Sequence, residues 1–264
     1  MAIHPCIEFL SSAGMKQKPE RIISLVPSQT ELLYDLGLNE EVIGITKFCV
    51  HPGEWFKTKT RIGGTKNINI EKIKSLKPDL IIANKEENVK EQVEALQNFT
   101  NVYVSDILNL NDALNMILQV GELAHRNEAA DKIATLISKK FSALKSVKQE
   151  RRAAYLIWQK PYMAAGGDTF IHDMMQYCGL ENVFADKLRY PETTIEELQS
   201  LNCEVLLLSS EPFPFKQKQA DEIQSLFPSV KIMLVDGEMF SWYGSRLIYA
   251  ADYFDNLIQS RLLI

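Results

Sequence analysis

The feature that most constrains the fold is a gapless internal repeat. Residues 70–82, IEKIKSLKPDLII, can be laid on residues 195–207, IEELQSLNCEVLL, so that hydrophobic, acidic and serine positions coincide. Any two buried βα units resemble each other to some degree. A second match in the same order, however, pairs residues 36–39 (LGLN) with residues 178–181 (CGLE). We therefore interpret the chain as two related halves that arose by internal duplication.

Short apolar runs alternate with helical segments through both halves. Arg21–Val26 and Glu41–Thr46 have the composition of strands. Between them, Ser28 is a suitable N-cap for a helix over Gln29–Leu36, which Gly37 would end. Alternation of this kind predicts βαβ units on a parallel sheet. The predicted fold class is α/β, with parallel sheets in two lobes joined by a long helix.

Residues 110–148 predict that joining element, because apolar positions keep near-helical spacing over a stretch without proline. The stretch is too long for an average crossover helix. Gly121 and the polar run Arg126–Glu128 would allow a break, so one helix and two helices both remain possible. The predicted organisation is an N-terminal extension (1–20), an N-terminal lobe (21–109), a bridging helix (110–148) and a C-terminal lobe (149–264).

The charge balance of the 264 residues gives no support for a nucleic-acid partner. The net charge is −5, and no cluster of Lys and Arg is interleaved with aromatic residues as in a nucleic-acid groove. The longest apolar runs have only the length of a strand, so no membrane span is predicted. The first residues also lack the basic start of a signal peptide. Either the protein stays in the cytoplasm, or the true precursor begins upstream.

Motifs for enzyme chemistry are missing from the sequence. Gly63-Gly64 and Gly166-Gly167 lack the spacing of a phosphate-binding loop, and no GxSxG elbow is present. The four cysteines are scattered without a CxxC pair, which indicates small buried hydrophobic residues rather than a zinc site. We therefore expect a binding protein without catalytic residues, without a bound metal ion and without an intrinsic cofactor.

Aromatic residues that follow predicted strands are the main candidates for ligand contact. Duplicated βα halves leave a cleft where the carboxyl ends of their strands face each other, and open α/β sheets bind ligands at those ends. Aromatic side chains there suit a large flat or apolar ligand, although packing in the core is the alternative. The aromatic candidates are Phe48, Trp55, Phe56, Trp158, Tyr162, Phe240, Trp242 and Tyr243.

Three polar residues complete the predicted ligand site. His51 and His172 fall at loop or helix-start positions on the cleft side and could bind a metal or offer an axial imidazole, unless they are isolated polar residues. Arg246, near the start of the last helix, could contact an anionic group of the ligand. A surface or lobe-bridging role is the alternative for this arginine.

Glu71 and Glu196 occupy equivalent positions in the repeat, each near the start of its helix. A carboxylate there is favoured by the helix dipole by about 0.3–1 kcal/mol, so helix stabilisation alone would explain both. Their equivalence also predicts two matched acidic points, one per lobe, for a pseudo-symmetric partner.

With these motifs the chain resembles the helical-backbone metal receptor superfamily, the periplasmic binding proteins for cobalamin, ferric siderophores and haem that serve ABC importers. The resemblance covers about residues 21–257 and is strongest to the cobalamin-binding branch. The resemblance rests on three groups of motifs: residues 21–28 (RIISLVPS) with Thr30-Glu31, residues 69–73 (NIEKI) with 76–81 (LKPDLI), and residues 179–183 (GLENV).

The resemblance implies two Rossmann-like lobes bridged by a rigid backbone helix. It also implies that Glu71 and Glu196 match lobe-tip glutamates that dock onto arginines of a dimeric permease. His51 stands where the cobalamin binder has a cleft tyrosine, and Asn84 where it has a cleft tryptophan. The metal-ion cluster needs more His and acidic ligands than this chain offers, which favours a chelate or macrocycle as the ligand.

We therefore expect a monomeric substrate-binding protein that captures a corrinoid, ferric siderophore or haem between its lobes for an ABC permease. Its location would be periplasmic or cell-envelope by resemblance. The alternative from another class is a cytoplasmic protein or enzyme that handles corrinoids or metal chelates with the same cleft. A third possibility, a protein-interaction scaffold, requires the cleft aromatics to be packed away.

Overall fold

The computed structural model describes residues 8–9, 17–144 and 151–259, and the chain divides into two compact units. The first unit comprises the described part of Met1–Ile107 with Asp112–Leu136 and Tyr243–Arg246. The second unit comprises Leu108–Asn111 and the described parts of Ile137–Trp242 and Leu247–Ile264.

The first unit is built on a six-stranded sheet with the order β1-β6-β5-β2-β3-β4. All neighbouring strands pair in parallel except β1 with β6. The central strands β2 and β5 are buried along their whole length, as expected for a parallel sheet covered on both faces. The strands are β1 (Glu8–Phe9), β2 (Ile22–Ser24), β3 (Val42–Ile45), β4 (Thr60–Arg61), β5 (Leu80–Asn84) and β6 (Asn101–Ser105).

Helices alternate with these strands as predicted. They are α1 (Pro27–Asp35), α2 (Gly53–Thr58), α3 (Ile70–Ser75) and α4 (Lys90–Gln97). The predicted N-cap Ser28 is wrong, because α1 begins at Pro27 with Val26 in the cap position. Proline suits the first helical position, since its fixed φ matches the helix and its missing N–H needs no partner. Gly37 follows the helix at a φ of +76°, as its predicted role as the stop requires.

The stretch between the halves contains two helices, the second of the two alternatives. They are α5 (Leu110–Leu123) and α6 (Asn127–Ser142), while residues 145–148 of the predicted element lie outside the described residues. His125 adopts a φ of +53° between them, and the Arg126 amide donates to the Gly121 carbonyl at 2.7 Å. A Cβ on Gly121 would lie 2.3 Å from the Cβ of Ala130, so this glycine lets the two helices approach closely.

The second unit repeats the pattern on a sheet ordered β10-β8-β7-β11-β12, in which β9 also pairs with β7. Its antiparallel strands β8 and β10 are absent from the sequence prediction, because each is too short to show a period. The strands are β7 (Arg151–Trp158), β8 (Tyr162–Ala164), β9 (Leu180–Asn182), β10 (Glu192–Thr193), β11 (Val205–Ser209) and β12 (Lys231–Val235). The helices are α7 (Phe170–Tyr177), α8 (Ile195–Ser200), α9 (Gln217–Leu226), α10 (Gly237–Ser241) and α11 (Leu247–Gln259).

The internal repeat extends to backbone detail. Helix α3 with β5 and helix α8 with β11 have the same lengths and spacing. Asn69 and Thr194 cap the two helices at equivalent positions, each accepting from the backbone amide three residues on, at 2.9 and 3.2 Å. The left-handed residues Lys77 and Asn202, at φ +49° and +51°, are equivalent too. These matches support the duplication that the sequence predicts.

Candidate ligand-binding faces

In each unit the carboxyl ends of the parallel strands lie together at one end of the sheet. We call this end the first face in the first unit and the second face in the second unit. Loops that leave the carboxyl ends of the strands are the usual ligand-binding positions of open α/β sheets. On the first face Phe48 follows β3 and keeps 51% of its surface exposed. The Lys47 Nζ lies 5.0 Å from its ring centroid, and a Cβ on Gly64 would lie 3.2 Å from its Cε2. The first face therefore presents an open aromatic ring.

Buried hydrogen bonds hold the loop that carries Phe48 and His51. The Thr30 hydroxyl donates to the Ser24 Oγ at 2.7 Å and lies 3.0 Å from the Cys49 Sγ. Burial raises the pKa of the Cys49 thiol, so the thiol stays protonated at neutral pH. Cys49, Cys178 and Cys203 are all free and buried, which confirms the packing role predicted for them, while Cys6 lies outside the described residues.

A second polar network lies beneath the first face. The Gln29 Nε2 donates to the Ser105 Oγ at 2.5 Å, and the Asn84 Nδ2 donates to the Ser105 carbonyl at 3.0 Å. Asn88 donates through its Nδ2 to the Thr65 carbonyl at 3.1 Å. Asn84, which matches a cleft tryptophan in the resemblance, is only 1% exposed. Here it ties the ends of β5 and β6 together instead of presenting a ring to a ligand.

Arg246 forms an ion pair within the first unit. Its Nε and Nη2 donate to the two carboxylate oxygens of Glu31 at 2.8 and 2.6 Å. The two side chains are only 11% and 14% exposed. Burial raises the pKa of Glu31, while Arg246 and the nearby His51 act in the opposite direction. The positive charge that we predicted for an anionic ligand group is thus already neutralised by Glu31, which sequence reasoning missed as a site residue.

Trp55 belongs to the core of the first unit, with 1% of its surface exposed. Its Nε1 donates to the Asn39 Oδ1 at 3.0 Å, and its ring meets Tyr34 edge to face at 5.4 Å. The neighbouring Phe56 points outward on the same helix and lies 4.4 Å from the Arg61 guanidinium. In this structure Trp55 offers no open ring face to a ligand, because α2 turns it toward α1.

The second face presents Trp158, the last residue of β7, with 40% of its surface exposed. Tyr162 is half-buried at the start of β8. Phe213, which sequence reasoning missed, packs edge to face against Trp158 at 5.7 Å and against Phe215 at 4.8 Å. The signal was available, since the run Pro212-Phe213-Pro214-Phe215 begins three residues after the end of the buried strand β11.

Trp242 packs beneath the second face and is 6% exposed. Its Nε1 donates to the Glu211 Oε1 at 2.9 Å, and the Ser241 hydroxyl donates to the same oxygen at 2.7 Å. Burial raises the pKa of Glu211, and the nearby acidic residues add to the effect. Phe240 is fully buried against Tyr155 and Phe254, with ring centroids at 5.1 and 4.9 Å. For Phe240, the structure therefore favours packing in the core, which was the alternative to ligand contact for the aromatic candidates.

Tyr243, the next residue along the chain, is part of the first unit and is 6% exposed. Like Trp242, it has little side-chain surface open to a ligand. Both residues remain candidates only through the small exposed part of each ring.

His172 lies half-buried in the first turn of α7. The Asn182 Nδ2 is 3.3 Å from its Nδ1, and the Gln176 Nε2 is 3.3 Å from its Nε2. Burial lowers its pKa, so the ring is neutral at neutral pH. Among residues 8–9, 17–144 and 151–259, no group of three or more His, Cys, Asp or Glu is arranged to hold a metal ion.

The equivalent glutamates lie on the surface of their units. Glu71 and Glu196 are both exposed in the first turns of α3 and α8. A hydrogen bond to its own backbone amide, helped by the Thr194 hydroxyl, lowers the pKa of Glu196. The carboxylate is therefore charged well below neutral pH and is available to a basic partner.

Comparison with known proteins identifies relatives along most of the chain. A family model described as periplasmic binding protein matches residues 22–227. A vitamin B12-binding protein of Vibrio parahaemolyticus is 31% identical over 207 residues, which cover 76% of this chain and 75% of that protein. An uncharacterised ABC transporter substrate-binding lipoprotein of Bacillus subtilis is 27% identical over 250 residues, covering 89% of this chain and 78% of the relative.

Among solved structures, a periplasmic haem-binding protein in complex with two haems superposes with a TM-score of 0.81 at 18% identity. The superposition covers 93% of this chain and 100% of that one. At this identity the likeness concerns the fold alone. It confirms the predicted two-lobed α/β fold class.

Proposed function

Because the chain belongs to the periplasmic binding protein family, whose model spans most of both units, we propose that it binds a corrinoid, haem or ferric siderophore and delivers it to an ABC permease. The family and the relatives consist of substrate-binding proteins, so the chain is the binding protein of an ABC importer and not an enzyme. The bound molecule would be cargo rather than a resident cofactor.

The family match carries this proposal, and the open aromatic rings of the two faces support the class of ligand. A corrin, a porphyrin or an aromatic-rich chelate buries a large apolar area against flat rings, which lose little side-chain entropy on binding. Phe48 offers such a ring on the first face, and Trp158 with Phe213 offers a pair on the second. One of the relatives is named for vitamin B12 and one structural neighbour for haem, both macrocycles.

We assign ligand contact first to the predicted residues that keep exposed or half-buried side chains. These are Phe48, His51, Phe56, Trp158, Tyr162 and His172, together with Phe213. Trp242, Tyr243 and Arg246 would act mainly by holding these residues in place, since each is largely buried. The position of the ligand between the two halves stays a prediction from the sequence.

Glu71 and Glu196 are proposed to contact basic side chains of the permease. Their exposure and their equivalent places in the repeat support this assignment. We also infer that the protein works in the cell envelope, where an importer meets its cargo, because relatives are described as periplasmic or as lipoproteins. In the described part of the chain, none of the helices has the length and apolarity needed to cross a bilayer.

Isothermal titration calorimetry of the purified protein with cyanocobalamin, haemin and a ferric hydroxamate tests the ligand class. We expect at least one of the three to bind with a Kd of about 1 μM or tighter, which corresponds to about −8 kcal/mol. Failure of all three to bind would overturn the proposed ligand class.

Transport assays test the docking role separately. With the bound ligand as cargo, Glu71→Ala combined with Glu196→Ala should leave the Kd unchanged and impair uptake into cells that carry the permease. Glu91→Ala and Glu222→Ala, which remove exposed carboxylates from α4 and α9, form the matched control. Normal uptake by the first double variant would contradict the docking assignment.

A further inference from the structure

The duplicated surfaces around Glu71 and Glu196 have matching backbone conformations but net charges of opposite sign. We define the first docking surface as Glu71, Lys72, Lys74 and Lys77, and the second docking surface as Glu196, Glu197, Gln199 and Asn202. The repeat pairs these residues one to one, in the order given. Because the two backbones match in helix bounds, caps and left-handed residues, the difference between the surfaces lies in their side chains.

The charges differ at three of the four positions. Helix α3 has one acidic residue in its first turn and two lysines in its last turn. Helix α8 has two acidic residues in its first turn and no basic residue in its last. Lys74 and Lys77 occupy the positions in the repeat that Gln199 and Asn202 occupy in the second half, and all four side chains are exposed.

The contrast continues along the flanking sequence. Residues 66–90 contain six lysines and four acidic residues, whereas the equivalent residues 191–215 contain no Lys or Arg. Five glutamates lie in that second stretch. An excess of one charge over such a length sets the potential that a partner meets, and like charges brought together across an interface weaken binding.

From this contrast we propose that the permease presents two non-equivalent docking sites and is therefore built from two different subunits. Each site has a basic contact for its glutamate. Beside it, the site for the first surface carries acidic side chains for the lysines, and the site for the second surface carries further basic side chains. The proposal rests on the docking role given above to Glu71 and Glu196. A homodimeric partner offers two copies of one surface. A copy that complements the lysines of the first surface would repel the glutamates of the second.

Site-specific photo-crosslinking at the equivalent positions 74 and 199 tests this proposal. A benzophenone amino acid is placed at one position at a time in the full chain, which is then mixed with membranes of the organism that encodes it. The crosslinked peptides are identified by mass spectrometry. We expect position 74 and position 199 to crosslink to two different ABC permease polypeptides.

Two other outcomes of the crosslinking would contradict parts of this interpretation. Crosslinks from both positions to a single permease polypeptide would overturn the proposal and leave the docking role intact. Crosslinks to no permease from either position would contradict the docking role itself, and the present proposal with it. Unchanged circular dichroism and an unchanged ligand Kd show that each labelled protein is folded.

Charge exchange between the surfaces gives a second test. One variant carries Lys72→Glu, Lys74→Gln and Lys77→Asn, the residues of the second surface, and the converse variant carries Glu197→Lys, Gln199→Lys and Asn202→Lys. Both should bind permease-containing membranes about tenfold more weakly at low salt, with a smaller difference at high salt. The substituted residues already occur at equivalent backbone positions of this chain, which favours folding. Unchanged affinity in both variants would overturn the proposal.

Discussion

Exposure of individual aromatic residues separates ligand contact from packing. Trp158 keeps 40% of its surface open beside Phe213, whereas Trp55 and Phe240 are enclosed by their own units. All of these residues lie at or after the ends of strands, so their position in the sequence could not distinguish them. What decides is the direction in which a short helix or loop turns each side chain. That direction depends on contacts distant in sequence, such as Trp55 with Asn39.

The open ring of Trp158 leads to the first prediction. Trp158→Ala should weaken binding of the tightest ligand about tenfold or more, since an aromatic contact surface is lost. The free energy of unfolding should change little, because the ring is partly exposed. Calorimetry and chemical denaturation measure the two effects. Tyr249→Ala on α11, where the ring is 60% exposed, is the matched control. Equal affinity of the Trp158 and Tyr249 variants would contradict the assignment.

Glu211 gives a prediction about pH. Burial raises the pKa of Glu211 from its ordinary value near 4.5, so ionisation of this carboxyl opposes folding. Below pH 4.5 the carboxyl is protonated in both states and costs nothing. As the pH rises from 4.5 through the raised pKa, stability is lost. Glu211→Gln keeps an oxygen for Ser241 and Trp242, and it should therefore stabilise the protein at pH 7.5 but not at pH 4.

Urea denaturation of the wild type and the Glu211→Gln variant at the two pH values measures this difference. Glu222→Gln, which removes an exposed carboxylate on α9, is the control. A Glu211→Gln variant that is equally or less stable than the wild type at pH 7.5 would argue against a charge penalty at this site.

At the scale of elements, the number of helices in the stretch 110–148 could not be predicted from the sequence. The spacing of apolar residues predicts helical structure over the stretch. It is compatible with one helix or with two, since Gly121 is tolerated in both. The structure places the break at residues 124–126, where His125 adopts a left-handed conformation. The glycine serves the contact between the two helices, a property of three-dimensional packing that no local pattern contains.

The role of Gly121 predicts a specific loss of stability. In Gly121→Ala the new Cβ would lie 2.3 Å from the Ala130 Cβ, so the helices must separate. Overpacking of this kind costs about 1–3 kcal/mol, more than the gain in helix propensity of about 1 kcal/mol. Gly53→Ala is the matched control, because no atom lies within 4 Å of its new Cβ. Thermal unfolding should show a lowered Tm for the first variant only, and a similar Tm for both would refute the packing role.

For the whole molecule, the duplication, the alternation of strands and helices, and the family resemblance were enough to predict the α/β fold and the class of function. They could not predict that the short segment Tyr243–Arg246, which lies in the sequence between two stretches of the second unit, belongs to the first unit. One attachment of this segment, the ion pair of Arg246 with Glu31, joins residues 215 positions apart. Neither residue carries a local signal for such a pairing, so sequence reasoning left Arg246 between contact with the ligand and a surface or lobe-bridging role.

A double-mutant cycle on this pair tests whether the segment is held by charge. Arg246→Met removes the two-point ion pair of the buried Glu31 carboxylate and leaves His51 as a nearby group that favours its charge, and the loss of one partner of a buried pair costs on the order of 3 kcal/mol. Arg246→Met combined with Glu31→Gln removes the buried charge as well, so we expect this double variant to recover part of the lost stability. Urea denaturation of both single variants and the double variant gives the coupling energy. Strictly additive losses would mean that the two side chains contribute independently and that packing of Tyr243–Ser245 holds the segment in the first unit.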